Sequence, residues 1–240
     1  MDDIDKAIER LCEIRIFGDL SVHLDRDEML RRTGMTGRKR PVAPILLAEF
    51  DKIAGEVQSG TLIRARAVTR VLQILEVSPN QVVLAGGITL CGTLLQRKAP
   101  DATHIGLAIC TIGEQLEEAA VKYRQKDLLK SLILDGIGSA AVDSLAAEVS
   151  QLLCSHAAGA NLTAGGPLFF GTPGLPIQNL GLLFQVLPAE EIGVKLTSSY
   201  FMLPQKTSAF VVGIGPAMPA WSKEQSCRQC ALHRMCRYRV

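Results

Sequence analysis

From Ile4 onward, apolar residues return at Ile8, Leu11 and Ile14 with charged residues between them, a spacing that predicts a short amphipathic helix at the start of the chain. Arg26 to Arg40, charged and glycine-containing, carries no such period and reads as a loop or linker. Beyond Pro41 and Pro44 the steps Leu46, Phe50, Ile53 and Val57, closed by Ser59-Gly60, predict a second helix. Apolar, β-branched stretches at 67–75 and 81–84 predict strands, and the short run His104 to Thr111 predicts a buried one. Helical texture resumes from Glu114 to Arg124. The longest helix is expected from Lys126 to about Ser155, where Leu129, Ile133, Ile137, Ala141, Leu145 and Val149 repeat every four residues. Pro176 sits at the first turn of a further helix carrying Ile177, Leu180, Leu183, Phe184 and Leu187, and Ala209 to Ile214 closes the body as a strand.

Composition agrees with a folded chain. Its 240 residues are 48% hydrophobic and 21% charged, enough to bury one sizeable core and too apolar for disorder. With 26 basic against 24 acidic residues the net charge is +2, so no general attraction to polyanions or membrane surfaces follows. The basic residues within 26–40 form either a local patch for an anionic partner or a solvated connection, and no aromatic residue interleaves them as single-strand stacking requires. Nucleic-acid contact through these arginines and those of the C-terminal tail is therefore the weakest of the functional readings. Met1 to Glu9 is acidic and lacks the features of a secretory signal, which predicts an intracellular, cytoplasmic protein. The most apolar run, Val82 to Leu95, is shorter than the ~20 residues of a membrane span.

Gly136-Ile137-Gly138-Ser139-Ala140-Ala141 matches the G-x-G-x-x-A form of the dinucleotide fingerprint. That fingerprint needs a strand before its first glycine, whereas here the helical period runs through both. Small residues that let a neighbouring element approach closely explain the motif better. Between Glu148 and Glu190 stand 41 positions without Asp, Glu, Lys or Arg, broken by Gly165-Gly166-Pro167 and by Gly171-Thr172-Pro173-Gly174-Leu175-Pro176. Such a segment is either buried core with tight turns or a loop whose backbone amides and carbonyls meet a ligand. No phosphate-binding loop or nucleophile elbow is present, and His23, His104 and His156 are isolated, as hydrogen-bonded structural histidines usually are.

Taken in order, Thr172-Pro173-Gly174-Leu175-Pro176, Leu183-Phe184, Ile192 to Thr197, Met202-Leu203-Pro204 and Lys206-Thr207-Ser208 resemble the activation domain of cobalamin-dependent methionine synthase. Free-standing homologues of that domain in anaerobes that handle corrinoid proteins are more similar still. Ile109 to Gly113 and Leu134 to Ala141 fit them too, so the resemblance spans roughly residues 42 to 215. It implies an α+β fold in which a twisted, mainly antiparallel sheet is flanked by helices. It also implies a domain that binds S-adenosylmethionine and presents it to an inactive cobalamin while a reductase supplies an electron, methylation trapping the reduced nucleophile. The corrinoid carries that chemistry, and the protein contributes binding and orientation. The implied adenosylmethionine loop is Phe170, Thr172, Pro173, Gly174 and Leu175. Phe170 stands where the family has arginine and Leu175 where it has tyrosine, which removes the forked cation best suited to the ligand's carboxylate. Phe169 or Phe170 would face an adenine ring.

The densest metal-ligand spacing lies beyond the resembling core, in Cys227-x2-Cys230-x5-Cys236. Three thiolates hold an iron-sulfur cluster with a fourth ligand from elsewhere, or zinc together with His233. The alternative is a terminal segment of unligated thiols. Arg228, Arg234, Arg237 and Arg239 would lower thiolate pKa values there. The remaining four of the seven cysteines, Cys12, Cys91, Cys110 and Cys154, sit among apolar neighbours and read as small core residues.

The chain thus divides into an N-terminal helix and basic linker (1–40), an activation-domain-like α+β domain (41–216) and a cysteine-containing tail (217–240). The resemblance and the tail together imply a factor that reactivates a corrinoid protein or cobalamin-dependent methyltransferase, with an electron donor as second partner and the tail as electron relay. The alternative is a noncatalytic scaffold that docks on the same partner.

Overall fold

In the computed structural model, which describes residues 2–36, 41–219, 223–228 and 233–235, the chain opens with α1 (Asp2–Cys12) and a three-residue strand β1 (Arg15–Phe17). A helix, α2 (Arg26–Arg32), follows where the pattern predicts a loop. The side chain of Asp25 accepts from the Glu28 amide at 2.8 Å and caps it, Arg31 and Arg32 pair with Glu28 one turn back, and Met29 and Leu30 are buried. Two buried residues within one turn are too few to show a period, and that is why the pattern does not reveal this helix. Residues 37–40 of the basic run lie outside the described residues.

Next come α3 (Pro44–Ser59), with proline in its first turn and Phe50, Ile53 and Val57 buried, and the meander β2 (Arg66–Ser78), β3 (Gln81–Leu84) and β4 (Ile88–Cys91). A short α4 (Leu94–Lys98) leads to β5 (His104–Thr111), then α5 (Gln115–Tyr123) and the 32-residue α6 (Leu128–Gly159), whose N-terminus Asp127 caps. The low-charge region holds β6 (Thr163–Ala164), β7 (Leu168–Phe169) and, after a 3-10 turn at Ile177–Asn179, α7 (Leu180–Val186). A small hairpin, β8 (Lys195–Leu196) with β9 (Met202–Leu203), precedes β10 (Thr207–Gly215), and α8 (Lys223–Arg228) lies in the tail.

Every strand pair among the described residues is antiparallel, and the main sheet runs β4-β3-β2-β5-β10-β6, with β1 on β2 and β7 on β10. All eight residues of β5 are buried, so this strand reads as a continuous apolar run rather than an alternating one. Its alternate faces feed two cores. Ala108 and Cys110 join Val71, Phe210, Val212 and the inward face of α6, while Ile105, Leu107 and Ile109 join Val68, Leu72, Val211 and α7. The architecture is therefore a mainly antiparallel α+β sheet flanked by helices, as the resemblance implies. No helix among the described residues is long and apolar enough to cross a membrane.

Both glycines of the G-x-G-x-x-A stretch lie inside α6, four residues or more beyond its start, so no strand-to-helix turn exists there. A Cβ on Gly136 would fall 2.8 Å from the backbone N and Cα of Thr33, and one on Gly138 3.1 Å from Leu116 and 3.2 Å from the Lys206 side chain. The motif is a packing device that brings the end of α2 against α6. Gly136→Ala should therefore destabilise the fold by about 1–3 kcal/mol, because rigid backbone must give way. Gly55→Ala, on the open face of α3 with nothing within 4 Å of the new methyl, should stabilise by about 0.5–1 kcal/mol. Urea unfolding midpoints of the two variants should move in opposite directions.

Candidate functional site

Beyond α6 the chain returns along one edge of β10. Ala164 lies opposite Ile214, Leu168 opposite Val211 and Phe169 opposite Phe210, after which the chain turns sharply through Phe170–Pro176. That turn is closed internally by the Gly171 amide on Leu175 O and the Leu175 amide on Thr172 O, both 2.9 Å, and by the Thr172 hydroxyl on Phe169 O at 2.7 Å.

The turn is fixed at two points to the junction between β4 and α4. The carbonyl of Gly174 accepts from the Leu94 amide at 2.9 Å, and the left-handed backbone at Gly174, φ 88°, presents it there. The second point is the side chain of Asn179, which is buried. Its Oδ1 accepts from the Cys91 amide at 3.0 Å and its Nδ2 donates to the Cys91 carbonyl at 2.8 Å, so one amide side chain takes the place of a pairing strand at the end of β4.

All five residues of the expected ligand loop therefore share this one turn. Their exposures differ. Thr172 and Pro173 are exposed, Gly174 is partly covered, Phe170 is half-buried against the second core, and Leu175 is fully buried in it.

An open strand edge lies beside the turn. β7 pairs only with Phe210 and Val211, so Thr207, Ser208 and Ala209 have β5 on one side and no paired strand on the other among the described residues. Phe169, 39% exposed, leans its ring on Phe210 at 5.7 Å and 57°, which places it on the α6 side of the sheet next to that edge. At the entry to β10, Lys206 is a second landmark on the same side. Its Nζ donates to Ser139 Oγ at 2.9 Å and pairs with Asp135 Oδ1 at 2.8 Å, two α6 residues one turn apart. Its carbonyl accepts from the Ile112 amide at 3.2 Å and from the Thr111 hydroxyl at 3.3 Å. Asp135, Ser139, Lys206 and Asn179 are the residues that sequence reasoning leaves unassigned. The i, i+4 placement of Asp135 and Ser139 beside two glycines is the one signal that points to them.

A groove of about 650 Å³ continues from this entry, lined by Glu114, Glu117, Glu118 and Val121 of α5 and by Lys195, Leu203 and Pro204. Glu117 Oε2 accepts from the Gln205 amide at 2.8 Å and fixes the groove wall next to Lys206.

The cysteines fall into three settings. Cys110 is buried in the sheet, and burial pushes its thiol up to about 12. Cys12 and Cys154 are half-buried, with thiols raised by burial. Cys91, expected in the core, is exposed, because the pleat of β4 turns Ile88 and Leu90 inward and therefore Cys91 outward. In the tail, Cys227 Sγ lies 3.4 Å from His233 Nδ1. Cys230 and Cys236 lie outside the described residues, and among the described residues no three His, Cys, Asp or Glu side chains converge.

No protein-family model matches this chain, and no curated protein matches it. Among solved structures, its fold is similar to the MetH reactivation domain in a crystal structure bound to AdoHcy. The TM-score is 0.64 at 13% identity, over 88% of this chain and 81% of that one. The two share the fold.

The Asn179 clamp has a measurable consequence. Asn179→Leu keeps the volume but leaves the Cys91 amide and carbonyl unpaired, at a cost of about 1–3 kcal/mol. Hydrogen exchange should rise at residues 91–94 and 171–177 before it rises in β5.

Proposed function

We propose that this protein is a reactivation factor for a corrinoid carrier, binding S-adenosylmethionine beside a partner's cobalamin. The shared fold with a reactivation domain crystallised with AdoHcy carries this reading, and the open edge of β10 beside the glycine-proline turn supports it. When bound, S-adenosylmethionine supplies an electrophilic methyl group to a reduced corrinoid on the partner, for which an electron donor is also needed.

This chain's own residues bind and orient. The unpaired edge of Thr207–Ala209 offers backbone donors and acceptors, Phe169 and Phe170 offer ring faces, and Thr172 and Pro173 form the exposed rim of the turn. Leu175 contributes from beneath, by holding the turn in the core. Where the family has arginine, Phe170 cannot meet a carboxylate. Lys206 takes that role in our reading, since Ser139 and Asp135 engage two of its three donors.

A second reading has its own support. With Phe170 and Leu175 in place of arginine and tyrosine, and with the Gly174 carbonyl already committed to Leu94, the turn also suits a noncatalytic scaffold that keeps only the shape. Calorimetric titration with S-adenosylhomocysteine separates the two. Reactivation predicts saturable binding that Lys206→Met weakens about tenfold or more while the melting temperature moves little, and a flat titration of the native protein leaves the scaffold.

We also propose that Cys227, Cys230 and Cys236 hold one zinc ion or an iron-sulfur cluster, the latter serving as electron relay. Zn–S and Zn–N bonds of about 2.3 and 2.0 Å at a tetrahedral angle put sulfur and nitrogen roughly 3.5 Å apart. The 3.4 Å between Cys227 Sγ and His233 Nδ1 fits such a pair of ligands. Protein purified without oxygen should carry stoichiometric zinc or iron with sulfide, and Cys230→Ser should lose it while the body stays folded. Metal-free native protein, or a variant with its full complement, would refute the site.

A further inference from the structure

Residues 2–17 form an arm laid against the body. Its strand β1 pairs with β2 at only three positions, Arg15 with Thr69, Ile16 with Val68 and Phe17 with Ala67. Its helix buries Leu11 in the core, yet Ile14 and Ile16 are each 45% exposed. So short an edge strand needs further attachment: Ala7, Ile8, Leu11 and Phe17 pack on the core, and one side chain at the far end of α6 adds a polar contact. Arg15 Nη1 meets His156 Nε2 at 3.4 Å, Arg15 Nη2 donates to the Arg10 carbonyl at 3.0 Å, and the Phe17 ring stacks on the imidazole at 6.2 Å and 16°.

The chemistry of this contact is one-sided. Guanidinium only donates, so the contact requires His156 to be neutral, with its proton on Nδ1 and Nε2 accepting. Protonation of Nε2 would set a donor against a donor and a cation against a cation. From this geometry we propose that His156 is an acid-released latch: acidification lifts the arm from the end of α6 and uncovers the edge of β2 at Ala67–Thr69.

The surroundings favour the neutral ring. Burial and the Arg15 charge hold the His156 pKa below its ordinary 6.5. Among the other groups at this corner, Arg10 of α1 contributes its carbonyl, Arg70 of β2 acts on the Cys12 thiol, and the arm's Glu9 and Glu13 are exposed. The C-terminal turn of α6 and the face of Phe17 favour an imidazolium, whereas the partly buried site and the facing Arg15 guanidinium disfavour it. A released His156 binds protons near 6.5 and a docked one binds them at lower pH. Docking is therefore strongest above that value and weakens as pH falls through it, by up to about tenfold per pH unit until the docked ring itself titrates.

Hydrogen exchange on the full-length protein at pH 7.5 and 5.5, corrected for intrinsic rates, tests the latch. Amides of residues 15–17 and their partners at 67–69 should lose protection several-fold at the lower pH, while those of β5 keep theirs. In His156→Gln, whose carboxamide oxygen accepts from Arg15 at any pH, the arm's protection should be flat between the two conditions. Arg15→Gln should shrink the response without abolishing it, since burial still disfavours the charged ring, and should start from weaker protection. The proposal is overturned if the native arm is equally protected at both pH values, if β5 loses protection in step with it, or if His156→Gln responds as the native protein does.

Discussion

Burial of β5 on both faces is the constraint from which the other layers follow. A strand with no solvent side needs an apolar layer above and another below, and its two neighbours must be long enough to satisfy its backbone from end to end. β2 and β10 meet that requirement, each pairing over eight consecutive residues of β5. α6 and α3 close one face. The other is closed by α4, α7 and the glycine-proline turn, which is the thinner and more irregular layer. The candidate site lies where β10 outruns its covering strands, at the edge of that asymmetric arrangement.

Elements with a long period were legible in the chain. α3, α5, α6 and the runs now seen as β2, β3, β5 and β10 emerge near their expected bounds, because each buries a face that repeats often enough to be seen. The elements that escape notice, β1, α2, β4, α4, β6 to β9 and α8, are two to seven residues long. They exist because of what they pack against, and their partners are distant in sequence. Asn179 illustrates the limit, since its side chain holds the backbone of a residue 88 positions away. Lys206 is similar, joining Ser139 across 67 positions. Cys91 shows the same limit from the other side. Apolar neighbours along the chain say nothing of which way a pleat turns a residue.

The G-x-G-x-x-A stretch shows how close approach can mimic a ligand motif. Glycine at 136 admits the backbone of Thr33, and glycine at 138 admits Leu116 and the Lys206 stem. The second contact joins structure to the candidate site, because the lysine that passes over Gly138 is the one whose ammonium reaches Ser139 and Asp135. A side chain at 138 would therefore disturb both packing and charge placement. The described residues before α3 are tied to α6 through Thr33 and through the pairing of Arg32 with Asp143.

The two short strands on the outer edge of β10 leave a spacing that carries a further meaning. From Ala164 to Leu168 the chain advances four positions, while their partners Ile214 and Val211 are three apart on β10. One surplus residue is thus absorbed among Gly165, Gly166 and Pro167, and this offset is what brings Phe169 to the α6 side of the sheet. A residue inserted or deleted in that interval would reverse the facing of Phe169 and Leu168 together, exchanging a ring at the open strand edge for an aliphatic side chain drawn from the core. The length of that interval, more than its letters, decides which side chain faces α6.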